Sequence, residues 1–173
     1  VYDSDFGESP TLFTAKLAGT STPMIGACNK NGIYYALRRD NLAAGPVWSL
    51  RVGAPSTTGP GLCLTAAAFD GSRLYIAANG TTITGTPYNG AIRALDAATG
   101  HLVWQTGLAG TVLGSPSENG TGVIAAATYQ SGSQNYLYLV NAATGAVLAK
   151  TPLTSITFAQ PVFADNLLLV APV

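Results

Sequence analysis

Charge is what this sequence has least of. Of its 173 residues only 9% are Asp, Glu, Lys or Arg, and eight acids balance eight bases. A net charge of zero removes the electrostatic attraction that would draw nucleic acid or an anionic membrane surface to it. With so few Lys and Glu, the polar surface falls to Ser, Thr, Asn, Gln and Gly, a balance closer to exported proteins than to cytosolic helical ones. Apolar residues make up 47%, yet no run reaches the roughly 18 that a membrane-crossing helix needs. The chain starts at Val1 with no basic and apolar leader, so any signal peptide is expected to be gone already. Cys28 and Cys63 are too few for a disulfide scaffold, and with the single His101 they do not make a zinc site. Length alone points to one domain with a sizeable core.

No window sustains the 3.6-residue apolar period of a helix. Short runs rich in Val, Ile, Leu, Tyr and Ala recur, separated by Asn31-Gly32, Asp70-Gly71, Asn79-Gly80, Asn89-Gly90 and Asn119-Gly120. Such dipeptides reach positive φ cheaply and are expected to close tight hairpins, so the chain reads as antiparallel all-β. It also repeats. "NGAIRALDAATGHLVWQTGL" aligns with "QNYLYLVNAATGAVLAKTPL", placing Gly100 on Gly145, 45 residues apart. An earlier copy, "NGIYYALRRDNLAAGPVWSLRVG", keeps an aromatic strand and a Trp around a longer turn. Two further short strands precede each copy. Four strands per roughly 40–50 residues is the signature of a β-propeller blade. The blades are expected at about 6–55, 61–110 and 111–155, with half a fourth at about 156–173. Propellers close with roughly 4–8 blades, so three and a half imply a segment of a seven- or eight-bladed ring.

In "ALDAATGHLVW" each residue type has a structural task. Ala94 is small where a neighbouring blade approaches, and Asp96 can accept N–H groups of the following turn. Gly100 can adopt a left-handed conformation, and Trp104 is broad enough to pack on the next blade while its indole N–H finds a carbonyl. This pattern resembles the tryptophan-docking motif of the pyrroloquinoline-quinone (PQQ) dehydrogenase-like propellers, matching it at Ala94, Asp96, Gly100 and Trp104. The third copy has Leu139, Asn141 and Ala149 in place of Ala, Asp and Trp but keeps Gly145. The first keeps Ala36 and Trp48. The resemblance spans nearly the whole chain and implies fold more than activity, because non-catalytic propellers such as outer-membrane assembly lipoproteins use the same repeats.

In that family's enzymes a quinone lies on the propeller axis beside a calcium ion held by carboxylates and amides, often under a disulfide of adjacent cysteines. This chain has no adjacent pair. Cys28 and Cys63 read either as two buried small hydrophobes or as a disulfide joining neighbouring blades of an exported protein. The opening "YDSDFGESP" resembles a segment of PQQ-type alcohol and polyvinyl-alcohol dehydrogenases, which makes Asp3, Asp5 and Glu8 calcium candidates. The plainer reading is a solvated loop in which Ser9-Pro10 opens a strand, a pattern repeated at Ser115-Pro116. His101 lacks a nucleophile partner and reads as a turn residue. Asn79-Gly-Thr81 and Asn119-Gly-Thr121 fit the glycosylation acceptor pattern, and fit better as turns.

Two functions are therefore expected. The first is an exported, non-catalytic binding or scaffold propeller segment with no cofactor of its own. The second is part of a PQQ- and calcium-dependent alcohol dehydrogenase whose other blades supply the missing ligands. Either way the apolar "NLLLVAPV" strand and bare blade faces anticipate a partner, another copy of the chain or the remaining blades of a parent. Loss of Trp104 is expected to destabilise more than loss of Trp48, whose own turn departs from the motif.

Overall fold

The computed structural model describes residues 5–55 and 63–173. Three antiparallel four-stranded sheets follow one another along the chain, each in simple sequential strand order, and a two-stranded sheet follows them. The first blade comprises β1 (Thr11–Leu17), β2 (Thr20–Cys28), β3 (Ile33–Arg38) and β4 (Pro46–Arg51). The second comprises β5 (Ala68–Phe69), β6 (Arg73–Ile83), β7 (Thr86–Asp96) and β8 (Leu102–Leu108). The third comprises β9 (Ser117–Glu118), β10 (Val123–Ala127), β11 (Asn135–Asn141) and β12 (Val147–Leu153), and β13 (Val162–Ala164) and β14 (Leu167–Leu169) begin a fourth. The chain is all-β and forms a partial propeller.

Both faces of a middle strand are apolar, because each packs on a neighbouring blade. Alternation sends successive side chains of β6 and β7 to opposite faces. Leu74, Ile76 and Leu95 join Phe13, Met24, Tyr34 and Trp48 in a core between blades one and two. Tyr75, Ile92 and Ala94 join Leu108, Ile124 and Tyr138 in a second core between blades two and three.

The hairpins are not all where the Asn-Gly pairs placed them. Asn31-Gly32, Asp70-Gly71 and Asn119-Gly120 do sit in turns. Asn79-Gly80 and Asn89-Gly90 instead lie inside β6 and β7, with Asn79 paired to Gly90, and the hairpin closes further out at Thr84-Gly85. Asn79 is buried because its side chain forms a paired contact with one residue of the next blade's approach. Its Oδ1 accepts from the Val112 N–H at 2.7 Å and its Nδ2 donates to the Val112 carbonyl at 3.0 Å. That satisfaction outweighs the local turn preference and leaves no free amide for a glycan. Positive φ at both corners marks Ala18-Gly19, Thr84-Gly85 and Asp165-Asn166 as the two-residue turns, two of which carry none of the usual Asn-Gly signal.

Blades one to three are joined by tryptophan on glycine. The Trp48 ring lies on the Gly100 turn of blade two, and its indole N–H donates to the Ala97 carbonyl at 3.1 Å. Trp104 lies on the Gly145 turn of blade three and donates to the Ala142 carbonyl at 2.9 Å. Tyr34 and Tyr75 stack on the two rings at 5.8 and 6.0 Å between centroids. Each turn is shaped by its first residue: Asp96 accepts from the Ala98 and Thr99 N–H groups and the Thr99 hydroxyl. Asn141 accepts the equivalent three bonds from Ala143 and Thr144, so Asn in place of Asp preserves the geometry. A Cβ at Gly100 or Gly145, both at positive φ, would stand 2.5 or 2.6 Å from the docked ring, a separation side chains do not tolerate. Ala149 leaves blade three without such a ring, and its outer strand exposes Val147 and Leu148.

Each Trp thus uses the turn of the following blade, not its own. The irregular turn of blade one is therefore no handicap to Trp48, which docks on the turn built by Asp96 and is the more buried of the two. This geometry favours the opposite order of the two losses. Trp48→Ala should cost about 3–5 kcal/mol, the usual range for a buried aromatic, and Trp104→Ala no more than that. Denaturant unfolding of the two variants checks this, and a clearly larger loss at Trp104 would contradict it.

Candidate functional site

The innermost strands β1, β5, β9 and β13 adjoin one another in sequence, which places them at the centre of the arc. Single hydroxyls tie them together. Thr11 Oγ1 donates to the Ala67 carbonyl at 3.0 Å and accepts the Ala67 N–H at 2.9 Å. Ser115 Oγ accepts the Ala66 N–H at 2.9 Å. Ser117 Oγ donates to the Pro161 carbonyl, and Gln160 Nε2 donates to the Pro116 carbonyl at 3.2 Å. Ser-Pro here does more than open a strand, since the Ser115 hydroxyl joins two blades.

Residues 5–10 lead directly into β1 and form the end of this inner wall. Asp3 lies outside the described residues. Asp5 pairs with Lys30 Nζ at 2.8 Å, and its carbonyl accepts the Lys30 N–H at 3.1 Å. Glu8 turns inward, its Oε1 accepting the Cys28 N–H while its Oε2 is buried without a hydrogen-bond partner. Burial pushes the Glu8 carboxyl up to about 8, against the lowering effect of the Cys28 N–H, so the acid is neutral at pH 7. Burial, and then the nearby Glu8, push the Tyr34 phenol up as well. Cys28, at the end of β2, is disulfide-bonded to Cys63, which precedes β5, with Cα atoms 5.5 Å apart. The bond therefore joins blade one to blade two beside the buried acid.

Asp5 and Glu8 are not poised alike. One is an exposed partner of a lysine and the other an acid turned inward beside the disulfide. Among the described residues no three His, Cys, Asp or Glu side chains cluster closely enough to hold a metal. The opening sequence pattern suggested the acids but neither the Lys30 pairing of Asp5 nor the inward turn of Glu8, because Lys30 and Tyr34 approach from β2–β3 and carry no local signal. His101 is exposed in the β7–β8 turn, where its carbonyl accepts the Asp96 N–H at 2.9 Å.

Comparison with known proteins bears on this geometry. A PQQ-like repeat family model described as outer membrane protein assembly factor BamB matches residues 39–148 and 88–172. No curated protein matches. Among solved structures, a europium-containing methanol dehydrogenase superposes with a TM-score of 0.67 at 18% identity, over 93% of this chain and 37% of that one. BamB from Moraxella catarrhalis gives 0.58 at 14% identity, over 92% of this chain and 45% of that one. The quinohemoprotein alcohol dehydrogenase from Comamonas testosteroni gives 0.66 at 17% identity, over 92% and 32%. The chain thus spans less than half the length of each of these proteins, and identities this low carry the fold alone.

Two measurements test the buried acid and its disulfide. A sequence separation of 35 between the cysteines makes the bridge worth about 4 kcal/mol on the chain-entropy model, so Cys63→Ser in the oxidised protein should lose stability of that order. The unfolded Glu8 carboxyl ionises near 4.5 and the folded one near 8. Between those values the folded chain holds the extra proton, so the Glu8 contribution to stability is fully present below 4.5 and is lost as pH rises through 8. Glu8→Gln should remove this part of the slope, seen in melts between pH 5 and 9; an unchanged slope would exclude the buried acid as its source.

Proposed function

We propose, from the premise that this chain belongs to the PQQ-like β-propeller repeat family whose model is described as outer membrane protein assembly factor BamB, that it is a non-catalytic scaffold or binding segment of an exported propeller. The observation that supports this is where the acids go. Five of the seven described acidic side chains hold a turn or an ion pair, and Glu8 accepts the Cys28 N–H. Asp70, for example, accepts from Ser72 and Arg73 N–H groups and from the Tyr75 hydroxyl. Most carboxylates in the described residues are engaged in holding the fold. The disulfide fits an oxidising compartment outside the cytoplasm, in keeping with the outer-membrane description of the family model.

The partner in this reading is more propeller of the same kind, supplied by a second copy or by further blades of a parent chain. Leu12 on blade one and Leu167 and Leu169 on blade four are 59%, 62% and 55% exposed. They stand where the interior blade junctions bury their counterparts. Blades are quasi-repeating units that bury their faces only against neighbours. Seven or eight of them would complete a ring.

The second reading, part of a PQQ- and calcium-dependent alcohol dehydrogenase, draws support from the methanol and quinohemoprotein dehydrogenases among the structural neighbours. Calcium would then need ligands from other blades, and the quinone would supply the redox chemistry when bound. Adding PQQ with Ca²⁺ separates the readings: a bound-quinone absorption band with alcohol-dependent dye reduction would favour the enzyme and defeat the scaffold. For the assembly, light scattering should return at least twice 17.6 kDa, and a stable soluble monomer at high concentration would contradict it.

A further inference from the structure

Arg93 is the one charged side chain among the buried described residues, at 4% exposure. It lies in the middle of β7, facing blade one in the same row as Ala91 and Leu95, with Ile76 and Gln105 opposite it on the flanking strands. The repeat shows that an arginine is not needed there. Ala36 pairs with Trp48, Ala94 with Trp104 and Leu139 with Ala149, so the equivalent residues one position earlier are Tyr35, Arg93 and Tyr138. Both tyrosine hydroxyls accept a hydrogen bond within the chain, from Asn31 Nδ2 and from the Ala109 N–H. Arg93 is only half provided for. Its Nη2 donates to Thr81 Oγ1, while its Nη1 is buried with no partner.

A buried guanidinium without a carboxylate is strongly unfavourable, because desolvation is not offset by an opposite charge. Burial lowers Arg93 to about 10, which still leaves it protonated at neutral pH. Arg93 lines a cleft of about 400 Å³ between β4 of blade one and the outer half of blade two, away from the inner wall. Leu50 and Leu102 give the cleft an apolar side, and Arg51, Thr82 and Gln105 give it further donors. No carboxylate lines it among the described residues, and the nearby sequence "STTGPGL" (56–62) contains none. Its volume falls in the range of small-molecule sites.

We propose that this cleft binds a small organic anion, with a carboxylate or phosphate group on the Arg93 guanidinium and an apolar body against Leu50 and the exposed Leu102 of β8. A planar fork of donors suits either oxyanion. The site is independent of the function proposed above, since it needs neither the ring nor a quinone.

Benzoate and phenyl phosphate are the probes, with benzamide as the neutral control, all at matched ionic strength and read by melting temperature and titration calorimetry. Saturable stabilisation by either anion and none by benzamide is expected, and which anion responds identifies the headgroup. Arg93→Met should weaken binding at least tenfold. Gln105→Glu places an internal carboxylate across the ladder from Arg93 and should raise the melting temperature while abolishing the anion response, so it remains informative if Arg93→Met does not fold. No saturable response to either anion, an equal response to benzamide, or full binding by Gln105→Glu would overturn the proposal.

Discussion

The structure depends on a flat indole lying on a turn that has no side chain. Each blade alone has two apolar faces and cannot keep both from water, so stability comes from the junctions. At the first two junctions the same three groups recur: a Trp from the outer strand, a Tyr stacked on it, and a Gly at positive φ beneath it. The hydrogen bond from the indole fixes the ring's direction, at 3.1 Å to Ala97 and 2.9 Å to Ala142. The acid or amide at the head of each turn bonds to the turn itself. It acts by holding three turn donors, so that the glycine presents its bare face.

A second system works at the inner wall, where strands shrink to two residues in blades two and three. Strands so short cannot provide a full ladder. Hydroxyls of Thr11, Ser115 and Ser117 supply the missing bonds and run between blades, not within them. The outer junctions are therefore bound mainly by apolar area, while the inner ones add polar bonds between blades, with Phe13 against Phe69 at the first. Glu8 and the disulfide add to the first inner junction alone.

The repeat made the blade order legible, because its 45-residue spacing and the Trp104 motif are properties of local sequence. What sequence concealed was always a relation between repeats. Trp48 could be judged by its own irregular turn only until the structure showed that it docks on the turn of Asp96. Asn79 reads as a turn residue until Val112 is seen beside it. Of the inner hydroxyls, Ser115 shows only as a repeated Ser-Pro strand opening, and Thr11 and Ser117 have no pattern at all. Arg93 did have a signal that went unread: a charge within the apolar run "AIRAL", at the place where the other copies carry Tyr35 and Tyr138.

The junctions are also unequal. Between blades one and two there is a Trp, a disulfide and the Thr11 pair of bonds. Between two and three there is a Trp and the Asn79 clasp. At the third junction Ala149 replaces the Trp, and the contacts include Tyr129 against Phe158 at 4.7 Å, the Ser117 and Gln160 bonds and the close approach of Gly114 to Ala159. Phe158 is itself 55% exposed. In a chain of nearest-neighbour units, opening begins at the weakest junction and not at the average one. Blade four is thus the part held least by its own chain, and the part with most to gain from a neighbour that covers its other face.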